Sequence, residues 1–304
     1  MAAITVTTVQ FELRAEPDFE SFADHLTGVV ESAAAASTDL VVLPELVTTG
    51  LLASHPKAAT LSGPDLGDAY RTVFPAHTER FAELLGSLAT RLDIALLGGS
   101  HFRRAGDGTY RNTAYLAHPD GRIEQQDKLH LTPQEKAIGL HPGDDVLITE
   151  VGPARVGIQI CADIEFPEIN RHLAVQGADV VLCPSLTWNT RGANRVRYGA
   201  HARAMENQLF VVVSPLVGSS GVPTHGAIHG TGRAMVAGPL DRTLGLNDGV
   251  VCAHADTRTE GWVSARLDLA LIAESRANPE PPGLSNMRPD LYARFSPVAG
   301  ALAP

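Results

Sequence analysis

Short apolar runs and longer amphipathic stretches alternate along the first hundred residues of the chain. Runs of β-branched and apolar residues are typical of buried strands, and apolar positions that recur every three or four residues are typical of helices packed on a core. The alternation therefore predicts βαβ units. The predicted elements are a strand over Ile4–Gln10, a helix over Phe19–Ala36, a strand over Asp39–Leu43, a helix near Ala76–Leu92 and a strand over Ile94–Gly99.

The middle of the chain predicts an antiparallel hairpin inserted into this pattern. Two strand-like runs, Tyr110–His118 and Arg122–Gln126, flank Pro119-Asp120-Gly121, whose residue types favour a tight turn. The alternation of strands and helices then returns. The elements predicted there are strands over Arg155–Ile160, Asp179–Cys183 and Leu209–Pro215, and helices over Pro167–Gln176 and Val196–Gln208.

The last third of the chain predicts a loop and a few further elements. A glycine-rich stretch, 218–230, predicts the loop, and strands over Arg233–Ala237 and Trp262–Leu267 and a short helix over Leu269–Ser275 follow it. No change of composition marks a linker. We therefore predict one domain over residues 1–304, built of mixed sheets covered by helices, with a proline-rich surface tail from about residue 277.

Composition and charge argue against several classes of protein. The 304 residues are 44% hydrophobic and 19% charged, which is ordinary for a globular chain with a large core. The net charge of −10 opposes binding to nucleic acid or to an anionic membrane. Three cysteines without a C-x-x-C pair give neither a disulfide framework nor a structural zinc site. Without a signal-like N-terminus or an apolar run of about 18–20 residues, we expect a soluble cytoplasmic protein.

One cysteine stands where a predicted strand gives way to a helix. Cys161 ends the buried strand, and Pro167 and Glu168 suit the first turn of the helix that follows. Such a turn projects a side chain out of the sheet, and helix N–H groups or a nearby cation favour its thiolate. A single cysteine is more commonly a core residue, which is how we interpret Cys183 and Cys252. Cys161 is the candidate nucleophile.

Two charged segments are candidates for proton transfer and for stabilising an oxyanion. Glu45 directly follows the apolar run LVVLP, at the strand end where α/β folds gather their active sites. A carboxyl group in apolar surroundings has the raised pKa that a general base needs, although a solvated loop position is the simpler alternative. Lys128 follows the hairpin, and Glu135 lies a short loop further on, so the chain can bring both charges together. Unless it is a surface charge, a lysine held there can donate to a developing oxyanion.

Together these segments resemble the nitrilase, or carbon–nitrogen hydrolase, superfamily. LPELVTTG is similar to its glutamate motif, DKLHLTPQE to its lysine motif and ICADIEFPE to its cysteine motif, in the family's order. RHLAVQGADVVLCPS and HARAMENQLFVVVS extend the resemblance over nearly the whole chain. TRGANRVRYGAHARAMENQ and TPQEKAIGLHPGDD are most similar to a branch whose members are sometimes fused to an N-acetyltransferase domain, and we expect no such fusion in this chain.

The resemblance implies a fold and a set of roles. The fold is a four-layer αββα sandwich that pairs into homodimers or larger homo-oligomers, often through the helix after the cysteine. Cys161 is the implied nucleophile, Glu45 the general base and acid, Lys128 the oxyanion stabiliser and Glu135 the second glutamate that orients the site. No metal or organic cofactor is implied. The expected activity is hydrolysis of a small amide through a cysteine thioester.

Several residues around these motifs are candidates for substrate binding. Arg195 and Arg197 could clamp a substrate carboxylate, although a solvated helix face or an ion pair is the simpler alternative. Trp188 lines a pocket or simply packs. The family pattern is broken at two places near the site: Ala162 stands where many members have Tyr, and Ser214-Pro215 stands where many have Asn and a small residue.

Other functions remain open at this stage. The same residues serve amide and nitrile chemistry, so a nitrilase is an alternative, as is an acyltransferase that passes the thioester to an amine. A binding protein that keeps the fold is the non-enzymatic alternative. The intact Glu45, Lys128 and Cys161 argue against it, because three buried polar groups are costly in a protein that only binds. The expected partner is a small amide or nitrile, not a nucleic acid or a membrane.

Overall fold

Thirteen strands, eight α-helices and four short 3-10 helices make up the part of the chain that this computed structural model describes, residues 2–35, 37–280 and 283–295. The strands are β1 Ala3–Leu13, β2 Leu40–Val42, β3 Ala95–Arg104, β4 Tyr110–Ala117, β5 Ile123–Asp127, β6 Ile148–Val151, β7 Ala154–Ile158, β8 Val180–Leu186, β9 Phe210–Ser219, β10 His229–Gly230, β11 Met235–Ala237, β12 Val250–Ala253 and β13 Gly261–Asp268. The α-helices are α1 Phe19–Ala34, α2 Pro64–Val73, α3 Thr78–Leu92, α4 Pro133–Ala137, α5 Pro167–Val175, α6 Thr190–Asn207, α7 Leu269–Ala277 and α8 Pro289–Phe295. The 3-10 helices are Val47–Ser54, Ala58–Thr60, Pro75–His77 and Cys161–Glu165.

The strands form two sheets that are joined through β1. The first sheet has the order β5-β4-β3-β2-β1-β13, and the second has the order β6-β7-β8-β9-β11-β12, with β10 paired to β9. Parallel strands stand at the centre of each sheet, β1, β2 and β3 in one and β7, β8 and β9 in the other. Residues 6–8 of β1 pair with β2, and residues 11–13 pair with β9, so one strand belongs to both sheets.

Alternate residues of the central strands face two different hydrophobic cores, as the pleat requires. Leu40 and Val42 of β2 belong to a core that they share with strands of the second sheet, whereas Val41 and Leu43 belong to a core shared with α1 and α3. The first of these cores continues through the second sheet to α5 and α6. The layers therefore run helix, sheet, sheet, helix, which is the sandwich that the resemblance implied.

Most predicted strands and helices are present, and some predictions were wrong in detail. The hairpin of β4 and β5 is not an insertion, because β4 pairs antiparallel with β3 and extends the first sheet. Helix α6 begins at Thr190 rather than Val196, since the Asn189 side chain caps it by accepting the N–H of Gly192. The predicted glycine-rich loop is shorter than expected, because β9 continues to Ser219 and β10 pairs back onto it. Helix α2 and the edge strands β6 and β12 were not predicted.

The predicted tail begins where α7 ends, at Ala277. Helix α8 belongs to this tail, and residues 281–282 and 296–304 of the tail lie outside the described residues. In the described part of the chain, no helix combines the length and the apolar character that crossing a membrane requires.

Candidate active site

Glu45 is held at the end of β2 by the neighbouring strand β3. Gly99 has a φ of 75°, and a Cβ there would lie 2.0 Å from the carbonyl oxygen of Pro44, so this close approach requires glycine. Ser100 donates its N–H to the same oxygen (3.1 Å), and its hydroxyl accepts the N–H of Leu46 (2.9 Å). These contacts fix the chain on both sides of Glu45, whose side chain is buried.

Lys128 is the centre of a buried cluster of three charged side chains. Its Nζ donates to Oε1 of Glu45 (2.6 Å) and to both carboxylate oxygens of Glu135 (2.9 Å each). Glu135 is fixed in turn by the N-cap of α4, because the N–H and the hydroxyl of Thr132 both donate to Oε2 of Glu135 at 2.9 Å. The predicted meeting of Lys128 and Glu135 is confirmed, and Glu45 joins them.

Asn112 of β4 contacts all three of these residues, and the sequence analysis missed it. Its Nδ2 donates to Oε1 of Glu45 (2.9 Å) and to Oε1 of Glu135 (3.0 Å), and its backbone carbonyl accepts the N–H of Lys128 (2.8 Å). The sequence signal that could have identified Asn112 is a single amide side chain in β4 that is followed by mostly apolar residues of the same strand.

Cys161 opens the 3-10 helix between β7 and α5, which confirms its predicted place between a strand and a helix. Its φ of 50° lies in the left-handed region, where residues other than glycine are uncommon and tend to occur at functional sites. The thiol Sγ donates to the carbonyl oxygen of Leu186 (3.6 Å), and the N–H of Leu186 donates to Oε2 of Glu45 (2.9 Å). Leu186, at the end of β8, therefore contacts both the candidate nucleophile and the candidate base.

Asp163 joins the lysine segment to the cysteine segment. Its fully buried carboxylate accepts the N–H groups of His130 (2.7 Å) and Leu129 (3.3 Å) and that of Ile160 (3.1 Å). Leu129 follows Lys128 and Ile160 precedes Cys161, so one carboxylate fixes the backbone beside both. The sequence analysis included Asp163 in the cysteine motif without giving it a task.

A chain of buried amides connects α6 to this aspartate. Asn207 Nδ2 donates to Asn170 Oδ1 (2.8 Å), Asn170 Nδ2 donates to Gln159 Oε1 (2.8 Å), and Gln159 Nε2 donates to the backbone carbonyl of Asp163 (3.3 Å). The three amides link α6, α5 and the end of β7. The chain ties the turn that carries the cysteine to the helices behind it.

The two glutamates have opposite pKa shifts. Burial raises the pKa of Glu45, and the Lys128 ammonium offsets this only in part. Burial alone would also raise the pKa of Glu135, but the Lys128 ammonium and the hydrogen bond from Asn112 lower this pKa to below its usual value. Burial opposes the charge of Lys128, yet the two carboxylates raise its pKa. Burial and the nearby Glu45 carboxylate raise the pKa of the Cys161 thiol well above its usual value. The arrangement therefore holds a neutral thiol, a charged lysine and a carboxylate suited to accept a proton.

The three predicted substrate-binding residues make no hydrogen bond or ion pair with this cluster within the described ranges. Trp188 lies two residues beyond Leu186, and 47% of its surface is exposed. Arg195 is exposed, and its Nε pairs with Glu165 (3.2 Å). The exposed Arg197 has its guanidinium 5.1 Å from the ring centre of Tyr198. Their roles in substrate binding stay predictions.

Among the residues described, no group of three or more His, Cys, Asp or Glu is suited to hold a metal ion.

Comparison with known proteins points to one family. A family model described as carbon-nitrogen hydrolase matches residues 5–277. The chain belongs to the carbon–nitrogen hydrolase family. The probable hydrolase YhcX of Bacillus subtilis (strain 168) is 34% identical over 290 residues, which are 95% of this chain and 54% of YhcX, so the chain spans about half the length of that relative. An (R)-stereoselective amidase of Pseudomonas sp. is 32% identical over 210 residues, 69% of each chain.

Solved structures of related hydrolases have the same fold. Nit3 of Saccharomyces cerevisiae, a member of branch 10 of the nitrilase superfamily, superimposes with a TM-score of 0.74 at 22% identity, over 94% of this chain and 97% of Nit3. At this identity the likeness bears on the fold alone. It confirms the mixed α/β architecture of helices packed on curled sheets.

Proposed function

We propose that this carbon–nitrogen hydrolase cleaves the C–N bond of small amides through a thioester on Cys161. One observation carries the proposal: the backbone N–H and carbonyl of Leu186 contact Glu45 and Cys161, while Lys128 contacts both Glu45 and Glu135. Cys161, Glu45 and Lys128 therefore lie in one buried cluster, which supports their roles as nucleophile, base and cation. The amidase among the relatives supports the choice of amides.

In the first half of the reaction, Cys161 Sγ attacks the amide carbonyl carbon as Glu45 takes the thiol proton. The C–S bond forms, and the carbonyl electron pair moves onto oxygen, where Lys128 stabilises the negative charge. One N–H of Lys128 shared between the two oxygens of Glu135 leaves another N–H for the oxyanion. The N–H of Ala162, in the first turn of a 3-10 helix where intrahelical acceptors are lacking, is the candidate second donor.

The tetrahedral intermediate then collapses to the thioester. Glu45 gives its proton to the amide nitrogen, the C–N bond breaks, and ammonia or an amine leaves. In the second half, Glu45 takes a proton from water as the water oxygen attacks the thioester carbonyl. The C–S bond breaks, the proton returns to Sγ of Cys161, and a carboxylic acid is released.

Glu135 and Asn112 position the reacting groups in this scheme. Glu135 holds the Lys128 ammonium in place and keeps it charged through a direct ion pair. Asn112 bridges Glu45 and Glu135 and prevents the two carboxylates from moving independently. Neither residue exchanges a proton with the substrate.

The test is a panel in which each amide is paired with the nitrile of the same acyl group, such as propionamide with propionitrile and benzamide with benzonitrile. Ammonia release is measured for the parent, for Cys161→Ser and for the matched control Cys252→Ser, since Cys252 lies on β12 outside the cluster. We expect amide hydrolysis by the parent and Cys252→Ser, and a loss of at least about 10³-fold in Cys161→Ser.

Other outcomes of the panel would overturn parts of the proposal. Turnover of nitriles but not of amides would replace the amidase with a nitrilase. Adding hydroxylamine tests the third possibility, because hydroxamate formed in large excess over free acid would indicate an acyltransferase. Full activity of Cys161→Ser would contradict the thioester mechanism for every substrate class.

A further inference from the structure

A cavity of about 230 Å³ lies between the first turns of α6 and the second sheet. Its lining does not include Glu45, Lys128, Glu135 or Cys161, so it is separate from the cluster described above. Apolar side chains of the sheet form part of its wall, among them Val213, Pro215 and Met235. The position that departs from the family pattern, Pro215, is therefore part of this cavity.

Two arginines are among the residues that line the same cavity, Arg197 from α6 and Arg233 from the segment before β11, and both are exposed. Neither arginine forms an ion pair with a carboxylate of the described residues, and none of the residues that line the cavity is acidic. The remaining polar lining consists of neutral side chains: Ser185, Thr187, Thr190, Asn194, Thr231 and Thr257. In a chain with a net charge of −10, two cations without an acidic partner in one small cavity favour an anionic ligand.

The size and the lining indicate what kind of anion fits. A guanidinium group matches a carboxylate with two parallel hydrogen bonds, and the side-chain amide of Asn194 can donate to a further oxygen. The hydroxyls of Ser185, Thr187 and Thr231 already donate to backbone carbonyls and fix the wall of the cavity. The apolar wall suits a short carbon chain, which inorganic anions lack. The volume is below the roughly 300–1,000 Å³ of pockets for drug-sized ligands. We propose that the cavity is a second binding site, for a small organic carboxylate.

The strand β8 couples this cavity to the active site. Ser185 and Thr187 line the cavity, and Leu186 between them contacts Cys161 through its carbonyl and Glu45 through its N–H. Ser185 shares a peptide group with the N–H that contacts Glu45, and Thr187 shares one with the carbonyl that contacts Cys161. A ligand that shifts Ser185 or Thr187 therefore shifts a backbone group that touches a reacting side chain. The ligand changes the reactivity of Cys161 in this way. The coupling rests on the proposed function, whereas the binding does not.

Binding is tested by isothermal titration calorimetry of the full chain with butyrate, succinate and inorganic phosphate at low ionic strength. The double variant Arg197→Gln/Arg233→Gln removes both charges. The control is Arg191→Gln, since Arg191 is an exposed arginine of α6 outside the cavity lining. We expect the parent and the control to bind butyrate or succinate with the same Kd, and the double variant to bind at least tenfold more weakly. Equal affinity in the double variant, no binding of either carboxylate, or tighter binding of phosphate would overturn the proposal.

The reaction itself releases a carboxylate, so binding at the catalytic cysteine must be distinguished. The titration is therefore repeated with Cys161→Ala, in which the proposed second site keeps its full affinity. Affinity that is lost in Cys161→Ala but kept in the double arginine variant would place the ligand at the active site and overturn the proposal.

The coupling has its own readout, the rate at which iodoacetamide alkylates Cys161. We expect a saturating carboxylate to change this rate at least twofold in the parent and not in the double arginine variant. An unchanged rate in a parent that binds the ligand would contradict the coupling. Circular dichroism of Arg197→Gln/Arg233→Gln and of Arg191→Gln checks that both proteins are folded.

Discussion

At the scale of single residues, the surroundings shift the pKa values of two chemically identical side chains in opposite directions. Glu45 is buried, accepts hydrogen bonds from three donors, and has a raised pKa. Glu135 accepts hydrogen bonds from the N–H and the hydroxyl of Thr132 and from Lys128 at both carboxylate oxygens, and it has a lowered pKa. Pairs of carboxyl groups whose environments separate their pKa values divide into a group that transfers protons and a group that stays charged.

Replacing each glutamate by glutamine separates these tasks. Glu45→Gln removes the base while keeping size and some hydrogen bonds, so single-turnover acylation should slow by at least about 10³-fold, within the range for a lost general base. Glu135→Gln still accepts a hydrogen bond from Lys128, and we expect a slowing of about tenfold to 10²-fold. Acylation is followed by intact-protein mass spectrometry after rapid quenching. A Glu45→Gln protein that acylates at the parent rate beside an inactive Glu135→Gln protein would reverse the two roles.

The pH dependence of kcat/KM reports the raised pKa of Glu45. In the proposed mechanism the free enzyme needs this carboxylate ionised, so we expect activity to fall as the pH falls through its pKa, with the acid limb above the ordinary carboxyl value of 4.5. The Glu135 charge contributes to raising that pKa, so Glu135→Gln should move the limb to lower pH. After each incubation the protein is returned to neutral pH and its activity is measured again, which shows whether the acid has unfolded it. An acid limb at or below 4.5, or one that Glu135→Gln leaves in place, would contradict the assignment.

At the scale of elements, the site depends on turns that are fixed by contacts between distant segments. Asp163 holds the segment after Lys128 and the segment before Cys161 together, and the amides Gln159 and Asn170 hold Asp163. The 3-10 helix that carries Cys161 therefore owes its position to long-range hydrogen bonds as well as to its own sequence. A change at Asp163 should affect the nucleophile and the lysine together.

Asp163→Asn is expected to lower kcat at least tenfold. An amide oxygen cannot accept all the N–H groups that the carboxylate accepts, so buried donors lose partners, at a stability cost of about 1–3 kcal/mol. The control is Asp179→Asn, because Asp179 also accepts a backbone N–H, from Arg155, and pairs with Arg276 away from the site. Kinetics are measured well below the unfolding temperature, together with the iodoacetamide rate of Cys161. A variant that loses stability but keeps the kcat and alkylation rate of the parent would reduce Asp163 to a structural role.

The elements also show how far local sequence patterns determine the fold. The central strands β1, β2, β7, β8 and β9 were predicted because they are apolar over several residues, and α1 and α3 because their apolar positions recur at helical spacing. The edge strands β6 and β12 were missed because they are short and only partly buried. The start of α6 was missed because its first turns are polar, and pairing of β1 with both sheets is a long-range property that no local pattern carries.

At the scale of the whole molecule, the motifs and the fold contribute differently to the site. Four residues that meet in the structure were candidates from the sequence, because each stands at a predicted strand end or in a short motif after one: Glu45, Lys128, Glu135 and Cys161. The contacts of Leu186 could not be predicted, since they are made by its backbone N–H and carbonyl. The contacts of Asn112 and Asp163 likewise appear only when segments that are remote in the chain meet.

Helices α5 and α6 bear exposed apolar residues that fit the expected homodimer. Val175, Tyr198 and Met205 are 64%, 60% and 41% exposed, and pairing of two copies through these helices would remove such apolar groups from water. We propose that two copies of the chain pair through these helices. Tyr198→Glu places a charge on this surface and should weaken the dimer at least tenfold in sedimentation equilibrium. Tyr292→Glu is the matched control, since Tyr292 on α8 is 51% exposed and lies outside α5 and α6.

Two results would contradict this dimer. A parent chain that sediments as a monomer at micromolar concentration would remove the interface altogether. A dimer that Tyr292→Glu weakens and Tyr198→Glu leaves intact would move the interface from α5 and α6 to the region of α8.

The central claim is a thioester on Cys161, and trapping it is the most direct test. The parent is mixed with the best amide of the panel, quenched in acid within the first turnover, and analysed by intact mass and peptide mapping. We expect a mass increase equal to the acyl group, carried by the Cys161 peptide, which disappears at the rate at which acid is released and occurs equally in Cys252→Ser. Turnover without any adduct on Cys161, or an adduct on the buried Cys183 instead, would contradict the mechanism.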